Sequence, residues 1–265
     1  MAELLQYKDM KKDRAAKGQL KRMIQAIGMI YVFLTLPVCL PFTFQAGEKE
    51  DTRNSWKTVS TDSEDIKSEK NIQETDNDIK PKVALTFDDG PNALYTPVLL
   101  EGLKERGVKA SFFLIGANID KENNKEIVKQ MHEDGHLIGN HTYHHVDLAG
   151  LSREQALTEL EETSQCIEEI TGEAVEYVRP PFGSWRDDFD ETFEAIPVMW
   201  SVDPLDWTTE DVEGIVNKVV TETEENDMIL LHDCYKSSVE AALQIVDILK
   251  EKGFEFVTAD ELLLD

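Results

Sequence analysis

Val83-Ala84-Leu85-Thr86-Phe87-Asp88-Asp89-Gly90-Pro91 is the stretch whose reading decides the fold. A short apolar run that ends on a Gly-Pro break reads as a buried strand followed by a turn. Further toward the C-terminus, comparable runs recur at 111–115, 136–140, 177–179, 197–201, 228–231 and 254–257. Segments of helical period fall between them, near 96–106, 123–133, 152–170, 211–225 and 238–250. The third has Ser152 followed three residues later by Gln155, the spacing of a capping box, and Gly172 closes it. Strand–helix alternation predicts an α/β domain with a parallel sheet and helices outside. About seven such repeats in roughly 185 residues approach a barrel, although the pattern alone leaves a doubly wound open sheet possible.

In the other direction the character changes twice. Residues 48–80 are mostly Asp, Glu, Lys, Ser, Thr and Asn without sustained periodicity, the composition of a disordered acidic linker. Residues 23–47 contain no Asp, Glu, Lys, Arg or His, and the run from Ile24 to Phe44 can cross a bilayer of about 30 Å at about 1.5 Å per residue. Residues 1–22 carry Lys8, Lys11, Lys12, Arg14, Lys17, Lys21 and Arg22, so this tail is expected in the cytoplasm and everything after the span outside the cell. The expectation is a single-pass signal-anchor ahead of a folded domain at 81–265. Secretion after cleavage is the competing reading, but the nearest candidate site, before Gly47, has the bulky Phe44 at its −3 position.

The formal net charge of −26 argues against nucleic acid or anionic headgroups as partners, because both would be repelled. An uncharged or cationic substrate fits better. Three cysteines, Cys39, Cys166 and Cys234, imply no disulfide framework, and no protein partner is indicated.

In a parallel sheet the residues just after each strand share one rim, where such folds place their active sites. Here that rim would gather Asp88 and Asp89, His141 and His145, Arg179, Asp203 and Asp206, and His232 and Asp233. Neighbouring strand residues face opposite ways, so two useful carboxylates at 88 and 89 need irregular backbone, which Gly90-Pro91 supplies. His141 and His145 stand at i and i+4, one helical turn apart, a spacing at which both imidazoles reach one metal. One Asp completes a two-histidine, one-carboxylate set with open positions, which a non-haem iron oxygenase would share.

These residues resemble the polysaccharide deacetylase family, the NodB-like domain of carbohydrate esterase family 4. The likeness runs from about Lys82 to the C-terminus and rests on five motifs in family order. They are Thr86 to Pro91, the His141/His145 pair, Arg179-Pro180-Pro181-Phe182-Gly183, Asp203-Pro204-Leu205-Asp206-Trp207 and Leu230-Leu231-His232. The resemblance implies a distorted (β/α)7 barrel similar to an incomplete TIM barrel. It implies that Asp89, His141 and His145 bind one divalent metal, zinc first, with cobalt or nickel as alternatives. By the same resemblance Asp88 is the general base held by Arg179, His232 is the acid oriented by Asp206, and the backbone N–H of Phe182 serves the oxyanion. Trp207 and Leu230 would line the groove for the acetyl methyl. Phe182 departs from the tyrosine of many relatives, which removes a hydroxyl but not a backbone donor.

The implied reaction is removal of N-acetyl groups from N-acetylglucosamine-type residues of an extracellular polysaccharide, peptidoglycan first. Chitooligosaccharide deacetylation, O-acetyl ester hydrolysis and a catalytically silent wall-binding role are the alternatives.

Overall fold

The computed structural model describes residues 80–264, except 122 and 187–194. The expected cytoplasmic tail, membrane span and nearly all of the expected linker lie outside these residues. Among the described residues no helix is long and apolar enough to cross a membrane.

Strand β1 (Lys82–Asp88) is central, with six of its seven residues buried. It is followed by α1 (Thr96–Glu105), β2 (Ser111–Leu114), the short α2 (Gly116–Ile119), α3 (Asn124–Glu133) and β3 (Leu137–Asn140). The long α4 (Arg153–Thr171) leads to β4 (Tyr177–Val178) and β5 (Ile196–Pro197). Helix α5 (Val212–Glu222), β6 (Met228–His232), α6 (Lys236–Glu251), β7 (Glu255–Val257) and α7 (Ala259–Leu264) complete the domain. The capping box of α4 is present: Ser152 accepts from the Gln155 N–H, and Gln155 accepts from the Ser152 N–H. Gly172 ends the helix with φ 74°, a left-handed conformation that glycine adopts without a Cβ penalty.

All seven strands are parallel, in the order β5-β4-β3-β2-β1-β6, with β7 on the first residues of β1. Strands β5 and β6 stand at opposite ends of this path. Yet Val202, just after β5, bridges Ile229 of β6, so the sheet has to curl until its ends meet. The result is a curled half-barrel, not a doubly wound sheet and not an evenly closed ring. The distortion expected of an incomplete (β/α)7 barrel lies at β4 and β5: each is two residues long, and closure rests on a single bridged pair. The fifth strand also lies at Ile196–Pro197, earlier than the expected 197–201.

Alternation along the strands separates two apolar layers. Leu85, Phe87, Phe112, Leu114, Ile229 and Leu231 face the helices and join the main core with Leu99, Leu100 and Leu103 of α1. Each fully buried side chain of this kind contributes on the order of 1.5–3 kcal/mol. Ala84, Phe113, Tyr177, Val198, Met228 and Ala259 form a smaller cluster on the opposite, concave face. Thr86 and Asp88 share the parity of Ala84, and Leu230 and His232 that of Met228. The β1–β6 register sets Thr86 against Leu230 and Asp88 against His232, which brings a carboxylate and an imidazole to the open end of the concave face.

Candidate active site

Asp88 ends β1 on the concave side and is 3% exposed. Asp89 follows with φ 72°, the irregularity that lets two consecutive carboxylates face one site. Such a conformation costs a non-glycine residue about 1–2 kcal/mol, so it needs support from its surroundings. Asn118 donates to the Asp89 carbonyl at 2.7 Å, and the Ile115 N–H donates to the Gly90 carbonyl at 3.0 Å.

Oδ1 of Asp89 lies 3.5 Å from His141 Nε2 and 3.3 Å from His145 Nε2. One donor atom from each of the three residues fits within 4.8 Å of the others. The Asp89 Oδ1 atom is buried and accepts no hydrogen bond among the described residues, a costly arrangement that a coordinated cation would relieve. His141 Nδ1 lies 2.6 Å from the Arg179 carbonyl. A carbonyl only accepts, so Nδ1 carries the proton and Nε2 presents its lone pair toward Asp89. The donor set and its geometry fit a divalent metal.

The two histidines do not share a helical turn, which corrects the expectation from their spacing. Thr142 has φ 64° and His145 φ 56°, so the chain between them is a tight loop. Their rings still converge, with centroids 5.1 Å apart.

Arg179 is completely buried, its guanidinium lying over the Phe113 ring. It donates to Asp88 Oδ1 at 2.8 Å, to Thr86 Oγ1 at 2.6 Å and to the carbonyls of Val198 and Met199. Burial pushes this guanidinium below its ordinary pKa, and the Asp88 charge opposes that shift. On the other side, His232 Nδ1 is 2.8 Å from Asp206 Oδ1, and Asp206 Oδ2 accepts the His232 N–H at 2.9 Å. Burial works to lower the His232 pKa. The hydrogen bond and charge of Asp206, with Asp88 and Asp89 nearby, outweigh it and raise the imidazole to about 9. For Asp89 burial works upward, but the neighbouring His141, His232 and His145 hold the carboxyl below its ordinary value.

Phe182, at φ 60°, sets its exposed ring edge-on to His145 with centroids 4.9 Å apart. Trp207 is half-exposed on the short turn that begins with Asp206, and Leu230 is buried two residues before His232 on the concave face.

A family model described as polysaccharide deacetylase matches residues 75–198. The chain is 38% identical over 188 residues to a peptidoglycan-N-acetylglucosamine deacetylase of Bacillus cereus, covering 68% of this chain and 67% of that protein. The chain belongs to the polysaccharide deacetylase family. A second relative, the peptidoglycan-N-acetylmuramic acid deacetylase PdaC of Bacillus subtilis, is 35% identical over 180 residues, covering 68% of this chain but only 38% of that protein. The solved structure of PdaC covers 69% of this chain and 90% of its own, with a TM-score of 0.67 and 34% identity.

Within this polysaccharide deacetylase site, sequence reasoning placed one carboxylate at the rim without a role and passed over another. Asp233 is fully buried against the Gly90 backbone, where a Cβ would come within 2.4 Å of its carboxylate. It accepts from Thr96 at 2.6 Å, and burial pushes its pKa up to about 7. Glu159 on α4 carries no motif signal, because it holds the histidine loop largely through backbone N–H groups. Only its place on an amphipathic helix is visible in the sequence.

Proposed function

We propose that this polysaccharide deacetylase removes N-acetyl groups from N-acetylglucosamine-type residues of peptidoglycan, yielding acetate and a free amine. One observation carries the reading. Asp88 and His232 stand opposite each other on adjacent strands, with the Asp89, His141 and His145 donor set beside them.

A divalent cation held by those three residues, zinc being our first choice, would polarise the acetyl carbonyl and make water a stronger acid. Asp88, fixed by Arg179, takes the proton from the attacking water. The Phe182 N–H is the donor that the family resemblance assigns to the developing oxyanion. An amide nitrogen leaves only once it is protonated, and His232, held up at about 9 by Asp206, carries the required proton at neutral pH. Trp207 and Leu230 bound the space for the acetyl methyl.

The apolar, uncharged run at 23–47 with its basic flank supports anchoring to the cell membrane, with the catalytic domain outside. Similarity to PdaC supports a second reading, N-acetylmuramic acid as the deacetylated sugar. Acetate release from peptidoglycan and from N-acetylglucosamine oligomers, by protein stripped of metal and reloaded with zinc, tests the proposal. Zinc-dependent release that is lost in Asp88→Asn supports it. A folded, zinc-loaded protein that releases none from either substrate refutes it.

A further inference from the structure

The two histidines that face Asp89 are held differently, and His145 depends on a loop. His141 is set by β3: its N–H donates to the Leu114 carbonyl at 2.9 Å and its ring to Arg179. His145 follows after Thr142, Tyr143 and His144, in left-handed backbone, and its ring is about one-third exposed. The carbonyls of Thr142 and Tyr143 accept from the N–H groups of Gly116 and Ala117, which fixes one side of the loop. Asn140 Oδ1 accepts the Thr142 N–H at 2.8 Å, and the next two N–H groups meet one carboxylate. Glu159 Oε2 accepts the Tyr143 N–H at 3.0 Å and the His144 N–H at 2.8 Å, while Oε1 lies 2.9 Å from His144 Nδ1. The Glu159 side chain is 16% exposed.

We propose that Glu159 is a positioning residue for metal binding, acting through the backbone of the 142–144 loop to hold His145 against Asp89. It touches neither metal ligand's ring. Two adjacent N–H donors facing one carboxylate need a particular loop shape, and charge-assisted bonds of this kind are roughly twice as strong as neutral ones. Loss of the carboxylate releases both donors to solvent and lets the strained residue at 145 relax. Helix α4 is a rigid base for this clamp, since Asn140, one residue before His141, is also tied to it through Leu160 and Ser164.

The inference rests on the reading of Asp89, His141 and His145 as metal ligands. Its test is zinc affinity of the full chain, measured by competition with a chromogenic chelator, beside the melting temperature of the metal-free protein. Glu159→Ala is expected to weaken zinc about 10- to 100-fold, the usual effect of losing an outer-shell partner. Glu159→Gln, which keeps an acceptor oxygen but no charge, is expected to fall between the two and serves if the alanine variant does not fold. On a His145→Ala background the same changes should cause no further loss. Unchanged zinc affinity in both variants, or an equal loss on the His145→Ala background, overturns the proposal. A wild-type chain that binds no zinc overturns the metal reading beneath it, an outcome distinct from a failed clamp.

Discussion

Asp206 grips His232 twice, through the ring nitrogen at 2.8 Å and through the backbone N–H at 2.9 Å. The carboxylate therefore fixes both the position of the imidazole and its proton. Without it, burial would dominate and the imidazole would lose its proton near neutrality.

The first prediction concerns that pair. Asp206→Asn should lower kcat for the amide substrate about 100-fold near pH 8, within the range typical of general acid catalysis. The alkaline limb of the pH profile should move down from about 9 toward neutrality, so the deficit narrows at pH 6. A kcat profile from acetate release checks both.

Removal of the metal should be visible in stability as well as rate. A ligand present at about 100 times its Kd stabilises the folded state by about 2.7 kcal/mol. For a domain of this size that corresponds to roughly 5–10 °C in Tm. Zinc should raise the melting temperature of the wild type by this order and leave that of Asp89→Asn almost unchanged, as read by scanning calorimetry.

Arg179→Met should destabilise by about 3–5 kcal/mol, because Asp88 stays buried without its counter-charge. The Thr86 hydroxyl and two carbonyls lose their donor as well. Asp88→Asn keeps an acceptor for Arg179 and should cost less stability while abolishing acetate release. Urea unfolding of the two variants separates the stabilising role from the catalytic one.

His136 lies away from the site, buried and neutral, and accepts the Ala110 N–H at 3.0 Å. Burial, only partly opposed by Asp134, lowers its pKa to about 4. The unfolded chain, with a histidine near 6.5, then binds more protons than the native state between these values. Stability is full above about pH 6.5 and should fall by up to about 3 kcal/mol as the pH drops to 4. His136→Gln should flatten this part of the stability curve, as measured by denaturant midpoints at successive pH values.

Local signals made much of the domain readable in advance. Strand β1, the capping box at Ser152 and Gln155, and Gly172 each depend on nearest neighbours in the chain, so their chemistry is written in consecutive residues. Strand β4 lies where the sequence puts it, but β5 is held by pairing with distant segments, and a two-residue run carries no period to fix its bounds. The convergence of Asp89, His141 and His145 was legible as a motif. Its geometry was legible at Asp89, where irregular backbone is expected, but not at the histidines, because left-handed backbone at Thr142 and His145 replaces the helical turn that the spacing suggested. Glu159 left no trace because most of what it binds is backbone, which every sequence shares.

The ladder between β1 and β6 has a consequence for how such a domain can diversify. Asp88 faces His232 because the backbone hydrogen bonds of two parallel strands put them there. Phe182, Trp207 and Tyr235, by contrast, expose their rings from the turns around the rim. Insertions or exchanges in those turns can change which polymer is admitted while the spacing of the proposed base and acid stays as it is. Selectivity can drift in this chain without the chemistry having to be rebuilt.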